Sequence, residues 1–160
     1  YLHAGQRVKM GRDAYADILW PEASNDREYE QMTVDEEDEN DLCLIMKITV
    51  KGSSLIVTGD VDSACLDSLA ERYGESLDTD ILKAAHHGSK YSDSEAFAEA
   101  AKPEYAVFQV GKNNFGHPDQ GVIENFRQKG IMIYRNDLDG AVAFDIGRKG
   151  SIRVRTVKGE

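Results

Sequence analysis

Apolar residues recur in short runs along this chain, and the spacing within the runs changes from one part of the sequence to the next. The first third favours strands, because its apolar runs are short and are closed by glycine, proline or serine. We predict strands there in residues 1–10, 16–20, 42–50 and 55–58. The last two flank Lys51-Gly52-Ser53-Ser54, which is typical of a hairpin turn.

From Asp62 onward the apolar period becomes helical, and helix then alternates with strand. Helices are predicted to begin at Asp62, at a capping box formed by Ser92-Asp93-Ser94-Glu95, and at Pro118-Asp119. Gly74 and Gly130 are predicted to cap the first and third of these helices. The remaining strands are predicted in residues 78–85, 105–110, 131–134, 141–146 and 152–157, with a turn at 137–140.

This order of elements predicts an α/β fold with one mixed sheet and helices packed on it. Residues 78–85 contain few polar side chains, which indicates a strand covered on both faces. Loops gather at the ends of such strands, so we expect the functional site there.

Composition and charge narrow the classes of function. The chain has 160 residues, enough for one domain with a core, and no apolar run approaches the length of a membrane span. Its net charge of −10 counts mildly against non-specific binding of nucleic acid. Residues 22–41 carry much of that charge and are predicted to form an acidic surface loop. Cys43 and Cys65 are expected to be buried thiols rather than a disulfide.

Asp60 is the first candidate for chemistry, because it follows a predicted strand and a glycine. A carboxylate in that position can bridge two cations, and Gly59 allows a sharp turn and close approach of the backbone. A simpler alternative is that Asp60 or Asp62 caps the helix that follows.

His86 and His87 end the next buried strand and are followed by Gly88 and Ser89. Successive side chains at a strand end point in opposite directions, so we expect only one histidine to face the site. That imidazole could bind a metal while the other reaches substrate or supports the fold. Ser89 and the nearby backbone could donate hydrogen bonds to a phosphate. A histidine pair hydrogen-bonded within a loop is the alternative.

His117 lies between Gly116 and Pro118 at the start of a predicted helix, where anions are favoured. It could contact a phosphate or act as a general acid. Lys112, Asn113 and Asn114 supply donors nearby, although asparagine, glycine and proline also suit any loop. Lys90 could pair with a phosphate or remain a solvated surface charge.

These residues do not complete a metal centre. One hydrolytic metal ion needs about three protein ligands, and Asp60 with one or two histidines falls short of two full sites. The sequence has no Walker-type glycine loop, Rossmann fingerprint or Cys-x-x-Cys spacing, and no catalytic serine or cysteine arrangement stands out.

Taken together, the motifs resemble those of the metallo-β-lactamase superfamily, and most closely the C-terminal hydrolase domain of ComEC-type competence (DNA-uptake) proteins. The resemblance extends from roughly Ala4 to Phe144, and the pairing of His-His-Gly-Ser with Gly-His-Pro is its most specific part. It rests on Thr58-Gly59-Asp60, His86-His87-Gly88-Ser89, Val110-Gly111-Lys112-Asn113-Asn114, Gly116-His117-Pro118 and Tyr134-Arg135 through Asp139-Gly140-Ala141.

The resemblance implies an αββα sandwich of two similar halves with two divalent metal ions, zinc or manganese, between them. It implies that Asp60 is a bridging metal ligand and that one of His86 and His87 is the last ligand, for which we favour His87. His86 and His117 would then be catalytic residues beside the substrate. Ser89, Lys90, Asn113 and Asn114 would bind the substrate, with phosphodiesters, DNA among them, as the expected class.

The family motif His-x-His-x-Asp-His, which supplies most of the metal ligands, is missing from this sequence, where only His3 precedes His86. We therefore expect the 160 residues to be the C-terminal half of such a domain, with its apolar sheet face covered by the missing N-terminal half or by a second copy. On its own this half should be inactive or nearly so.

Two functions remain open from the sequence. The first is a part of a metal-dependent phosphodiesterase, and the alternative is a non-catalytic interaction module that keeps the fold. No direct membrane contact is expected from this segment. The competence resemblance would place it outside the cell or at the membrane through its parent protein, and otherwise it would be cytoplasmic.

Overall fold

The structure is a computed structural model that describes residues 2–22 and 39–157. Most of the predicted acidic loop at 22–41 therefore lies outside the described residues. Nine strands are present in the described part, namely β1 (Arg7–Lys9), β2 (Ala14–Trp20), β3 (Ile45–Val50), β4 (Ser53–Val57), β5 (Ile81–Lys83), β6 (Tyr105–Phe108), β7 (Met132–Arg135), β8 (Val142–Ile146) and β9 (Ile152–Thr156).

Four α-helices and five short 3₁₀ segments connect these strands within the described residues. The helices are α1 (Ser63–Tyr73), α2 (Glu95–Ala101), α3 (Gln120–Gln128) and α4 (Asn136–Asp139). The 3₁₀ segments are Glu39–Leu42, Gly74–Leu77, Ala85–Gly88, Lys90–Ser92 and Arg148–Gly150. None of the described helices is long and apolar enough to span a bilayer.

The first seven strands form one mixed sheet in which every strand lies next to its neighbour in sequence. Pairing is antiparallel from β1 to β4, with short turns between β1 and β2 and between β3 and β4, and parallel from β4 to β7, where α1, α2 and α3 lie between successive strands. Parallel neighbours need such crossovers, whereas antiparallel ones need only a turn. The α/β class with a mixed sheet, as predicted, is confirmed.

The core lies between the helices and one face of the sheet. Ile56, Leu82 and Ala106 are consecutive partners across β4, β5 and β6, and all three are buried in the main apolar cluster. The helices contribute apolar residues spaced three or four apart to the same cluster. These are Cys65, Leu66, Leu69, Phe97, Ala101, Val122, Ile123 and Phe126.

The hairpin of β8 and β9 packs on the second face of the sheet. Its Phe144 ring lies 5.6 Å from Tyr105 and 6.2 Å from Tyr134, measured between ring centroids. Its turn is tied to the start of β4, because Ser53 Oγ donates to the Gly150 carbonyl at 2.8 Å. Tyr105 is adjacent in β6 to the core residue Ala106, and side chains alternate along a strand, so Tyr105 points away from the helices.

Several predicted boundaries were wrong by a few residues. The strand predicted at 78–85 is regular only at Ile81–Lys83, and the one predicted at 105–110 ends at Phe108. The predicted capping box was also wrong, because Ser94 rather than Ser92 caps α2. The turn predicted at 137–140 is the short helix α4, and α3 ends at Gln128 with its cap on Lys129, one residue before the predicted cap Gly130.

Candidate functional site

Three of the candidate segments meet at one edge of the sheet. Asp60 follows β4, His86 and His87 follow β5, and His117 follows β6, each beyond the carboxyl end of its strand. Because these three strands are parallel neighbours, their carboxyl ends lie side by side. The structure therefore brings together four candidate residues, although the first, Asp60, and the last, His117, are 57 positions apart in sequence.

Asp60 is not the cap of the following helix. That role belongs to Asp62, whose carboxylate accepts from the Cys65 amide at 2.8 Å. Gly59 has a φ of +62°, and a Cβ at this position would lie 2.6 Å from the Cβ of Cys43. Glycine is therefore required here by both backbone conformation and space. This turn leaves the Asp60 carboxylate, about one-third exposed, at the edge of the sheet.

A buried lysine holds this turn. Lys83 in β5 is 8% exposed, and its Nζ donates to the Gly59 carbonyl at 2.7 Å and to Asp60 Oδ1 at 3.2 Å. A buried ammonium must be paired and hydrogen-bonded to be tolerated, and both conditions are met. Lys83 was missed in the sequence analysis. The available signal was a single charged residue inside the otherwise apolar Ile81–Ala85 run.

His87 lies beside the second oxygen of the same carboxylate. Its Nε2 is 3.6 Å from Asp60 Oδ2, and its Nδ1 is 2.6 Å from the carbonyl oxygen of Gln109. A carbonyl can only accept, so in the neutral ring Nδ1 carries the proton and Nε2 keeps a lone pair. Metal-binding histidines are commonly oriented in this way by an acceptor behind the ring.

The two histidines occupy an uncommon backbone conformation. His86 has φ 44° and ψ 44°, and His87 has φ 55° and ψ 20°. Non-glycine residues in this left-handed region are strained, and such strain clusters at functional sites. The His86 amide donates to the Gly59 carbonyl at 3.1 Å, which ties the pair to the Asp60 turn.

Our expectation that only one histidine faces the site rested on strand geometry, which does not apply here. Strand β5 ends at Lys83, and the pair lies in a 3₁₀ segment instead. The His86 ring contacts the site neighbours on both sides, with centroid distances of 6.4 Å to His87 and 5.6 Å to His117. The three imidazoles therefore form one row of successive ring neighbours, and His87 is the member that lies against Asp60.

Gly88 and the following residues anchor this row to the core. A Cβ at Gly88 would lie 2.6 Å from atoms of both Phe108 and Pro118, and φ there is +86°. The Gly88 carbonyl also accepts from the Asp119 amide at 2.8 Å. The His-His-Gly segment is thus packed directly against the end of β6 and the start of α3.

Burial lowers the pKa of His117, and the neighbouring His86 and His87 rings lower it further. The imidazole is therefore predominantly neutral near pH 7, which favours accepting a hydrogen bond or a proton over donating one. A general acid must carry a proton before it can donate one. The lowered pKa of His117 therefore counts against the predicted role as a general acid near pH 7.

Asn113 organises the loop before His117. Its amide nitrogen donates to the carbonyls of Gly111 and His117, and its Oδ1 accepts from the amides of Phe115 and His117, all at 2.8–3.1 Å. The side chain predicted to bind substrate thus makes four bonds inside its own loop. Asn114, in contrast, is exposed.

Ser89 and Lys90 differ in accessibility. Ser89 is 1% exposed, and its Oγ accepts from the Tyr91 amide at 3.3 Å, whereas Lys90 is exposed with its Nζ 5.0 Å from the centroid of the Tyr91 ring. Only Lys90 is open to a ligand without rearrangement. Their substrate-binding roles remain predictions.

The donor set at this edge suits a divalent cation. Ligand atoms of a tetrahedral zinc ion lie roughly 3.3 Å apart, given bonds of about 2.0–2.1 Å, and the 3.6 Å between His87 Nε2 and Asp60 Oδ2 is close to this. Within residues 2–22 and 39–157, no group of three or more His, Cys, Asp or Glu side chains is arranged around one point. The described residues therefore offer two facing donor atoms, fewer than the roughly three protein ligands that one hydrolytic metal ion needs.

The prediction of two buried cysteines without a disulfide is confirmed for Cys65 and only in part for Cys43, which is partly exposed. Cys43 and Cys65 are not bonded to each other, and Cys65 is 7% exposed. Cys43 packs against Gly59, and its Sγ lies 3.4 Å from the Asp60 amide, so it supports the turn that presents the carboxylate.

Comparison with known proteins points to one group. No family model matches the chain. The chain is 40% identical to competence protein ComA of Neisseria gonorrhoeae over 114 residues, and this match covers 71% of the chain. It is 29% identical over 145 residues to ComE operon protein 3 of Bacillus subtilis, covering 87% of this chain, and 27% identical over 106 residues to recombination protein 2 of Haemophilus influenzae, covering 66%.

These relatives confirm the competence part of the resemblance drawn from the sequence. The matched regions amount to 16%, 17% and 13% of the three relatives, so the chain corresponds to a small part of each. The metallo-β-lactamase part of the resemblance, with its metal ions and hydrolysis, stays a prediction.

Proposed function

We propose that this relative of competence proteins is part of a metal-dependent hydrolase that cleaves phosphodiester bonds. The observation that carries the proposal is the arrangement of Asp60 and His87, whose Oδ2 and Nε2 face each other at 3.6 Å beside His86 and His117. A carboxylate and an Nε2 lone pair at one point, with two further imidazoles alongside, are suited to metal-assisted attack on a phosphoester.

Asp60 and His87 would hold the divalent cations, with zinc or manganese suited to imidazole and carboxylate donors. When bound, such cations lower the pKa of a water molecule and neutralise charge on phosphoryl oxygens. Lys83 occupies Asp60 Oδ1 in the described structure, so Oδ2 is the oxygen open to a cation at this stage. The further ligands would come from outside the described residues.

His86 and His117 would act on the substrate. Each is partly exposed and lies in the row of imidazoles beside Asp60. With its lowered pKa, His117 would accept a proton or hydrogen bond near pH 7, and His86 would contact the phosphate. Lys90, being exposed, would provide a positive charge to the phosphate, whereas Ser89 and Asn113 would shape the loops that hold these groups.

DNA is the proposed form of the phosphodiester, because the relatives are named as competence and recombination proteins. The net charge of −10 means that binding would depend on local contacts rather than on a general attraction to phosphate.

Polypeptide outside the described residues would cover the second face of the sheet. Val57 and Val107 flank Lys83 in the register of that face, and both are only partly buried. We propose that a preceding half-domain, or a second copy of this one, packs there and supplies the missing ligands. If it supplies none, the alternative of a non-catalytic interaction module applies.

Hydrolysis by the longest natural protein that contains these residues tests the proposal. With Mn²⁺ or Zn²⁺ it should cleave a single-stranded oligodeoxynucleotide, and D60N and H87Q should each lower kcat/KM at least ~100-fold. H3Q is the matched control, since His3 precedes β1, which is three strands from β4. Equal activity of H87Q and H3Q would refute the assignment, and a fully inactive wild type that still binds a protein partner would support the interaction module.

A further inference from the structure

Phe115 is exposed to an extent that its loop does not explain. Its side chain is 83% exposed, the highest value for a large apolar residue in the described part of the chain. Single exposed apolar residues are common on protein surfaces, so exposure alone indicates little. What distinguishes Phe115 is its place, two residues before His117 and beside the proposed site.

The ring lies directly beside that site, and its backbone is anchored there. It stacks on the His117 imidazole, with ring centroids 6.0 Å apart and planes inclined by 22°. The Phe115 and His117 amides both donate to Asn113 Oδ1, at 3.0 and 3.1 Å, so one side chain fixes both residues. A platform that is fixed in advance loses less entropy when a ligand binds to it.

The two rings present different chemistry side by side. His117 faces a row of imidazoles suited to a phosphate, whereas Phe115 offers an uncharged aromatic surface open to solvent. A ligand that satisfies both must carry an anion and a flat aromatic group a short distance apart. A nucleotide meets this requirement, since one sugar separates its base from its phosphate, comparable in scale to the 6.0 Å between these rings.

We propose that Phe115 is a stacking platform for an unpaired nucleobase of the substrate, and that it favours single-stranded nucleic acid over other phosphodiesters. This inference rests on the proposed function. Base stacking on an aromatic side chain is tolerant of sequence and needs a base that is not already stacked in a duplex. The platform therefore selects for the presence of a base and for single-strandedness, with little preference among bases.

The test compares cleavage of two oligodeoxynucleotides of equal length, one with all its bases and one entirely abasic. The comparison separates recognition of the bases from chemistry at the phosphates. Both present the same phosphodiesters, so the ratio of their kcat/KM values measures what the bases contribute. For the longest natural protein that contains this chain, we expect the ratio to exceed 10. F115A should lower that ratio by roughly 5- to 150-fold, the range for loss of one stacked base.

Two further variants give the comparison its controls. F115Y keeps an aromatic face and should retain the wild-type ratio. M10A removes another exposed apolar side chain, 57% exposed, and should not change the ratio. Met10 adjoins the turn before Ala14, which pairs with Val50 at the opposite end of the sheet from Asp60.

A binding measurement independent of hydrolysis completes the test. Stacking quenches 2-aminopurine fluorescence, so a single-stranded probe with this base should be quenched by the wild-type protein in EDTA and not by F115A. If F115A keeps both the ratio and the quenching, the inference is overturned although the hydrolase stands. If the wild type cleaves neither strand but quenches through Phe115, the proposed hydrolysis fails and the stacking platform stands.

Discussion

At the scale of single residues, the least expected feature is the ammonium of Lys83 beneath the proposed site. In the register of the sheet Lys83 lies between Val57 and Val107, so its stem has apolar neighbours. Its charge reaches the Gly59 carbonyl and Asp60 Oδ1 at the strand ends. This contact both satisfies the buried charge and fixes the turn that presents Asp60.

Replacing Lys83 by methionine should therefore destabilise the fold. We expect K83M to lower the free energy of unfolding by about 1–2 kcal/mol, because the Gly59 carbonyl loses one of its two donors and Asp60 loses its ion-pair partner. Urea denaturation at pH 7 measures this. The control is K9M at an exposed position of β1, which should stay within about 0.5 kcal/mol of wild type. Equal stability of the two variants would show that Lys83 does not hold the turn.

Residue types and their order were sufficient to identify Asp60, His86, His87 and His117 as candidates. Their proximity followed from the predicted parallel strands, whose carboxyl ends meet at one edge of the sheet. The left-handed backbone of the histidine pair could not be predicted, because it depends on the packing of Gly88 against Phe108 and Pro118. The pairing of Lys83 with Asp60 likewise requires the register between β4 and β5.

At the scale of elements, the start of α2 shows how a sequence motif can point to the wrong residue. Ser92-Asp93-Ser94-Glu95 has the spacing of a capping box, yet Ser94 accepts from the Phe97 amide at 3.0 Å and donates to Asp67 Oδ1 at 2.5 Å. The Ser92 hydroxyl is buried and has no hydrogen-bond partner among the described residues. Both serines fit an N-cap by type, but Ser92 ends the 3₁₀ segment Lys90–Ser92, whereas Ser94 has extended backbone and contacts Asp67.

Two alanine variants compare these serines directly. S94A should lower the free energy of unfolding by about 1–2 kcal/mol, because α2 loses its N-cap and Asp67 loses a donor. S92A should change it by less than about 0.5 kcal/mol, since no partner in the described structure is lost. Thermal or urea unfolding gives both values, and a larger loss for S92A would restore the predicted capping box.

An ion pair links the end of β7 to α4, and its contribution to stability depends on pH. Arg135 Nε and Nη2 donate to the two oxygens of Asp137 at 3.0 and 2.6 Å, and this hydrogen-bonded pairing lowers the pKa of Asp137 below its ordinary value of 3.8. A carboxyl with a lowered pKa stabilises the folded state above its unfolded pKa. That stabilisation is lost as the pH falls through the folded pKa.

D137N should accordingly cost about 1 kcal/mol of unfolding free energy at pH 7, as expected for a paired carboxylate that is about three-quarters buried. The difference from wild type should be constant between pH 7 and about pH 5 and should close below about pH 4, where the Asp137 carboxyl protonates first in the unfolded chain and, at lower pH, in the folded protein. Urea titrations across this range measure it. A difference that grows on acidification would contradict the assigned direction of the pKa shift.

Element identity was largely predictable, and element boundaries were not. The change from short apolar runs to a helical period located α1, α2 and α3 and the strands between them, because burial on one side imposes these periods. The boundaries depend on local contacts. The strand predicted at 78–85 is shortened because Ala85–Gly88 turns to reach the Gly59 carbonyl, a contact that no local pattern specifies.

At the scale of the whole molecule, the sheet has one face covered by helices and a second covered in part by the β8–β9 hairpin. The hairpin reaches Ser53 and Tyr105, which begin β4 and β6, and Tyr134 in the edge strand β7, where Tyr134 pairs with Val107. The row of Val57, Lys83 and Val107 lies nearer to the strand ends that carry Asp60 and His87. A partner on this face would lie next to the proposed metal site, which is where further ligands are needed.

The central claim is that Asp60 and His87 belong to one metal centre, and a titration of Mn²⁺ tests it most directly. Electron paramagnetic resonance of free Mn²⁺ gives the number and affinity of bound ions in the longest natural protein that contains this chain. We expect two ions for wild type and for H3Q, and at least ~100-fold weaker binding for D60A and H87A. Unchanged stoichiometry and affinity in D60A and H87A would contradict the account.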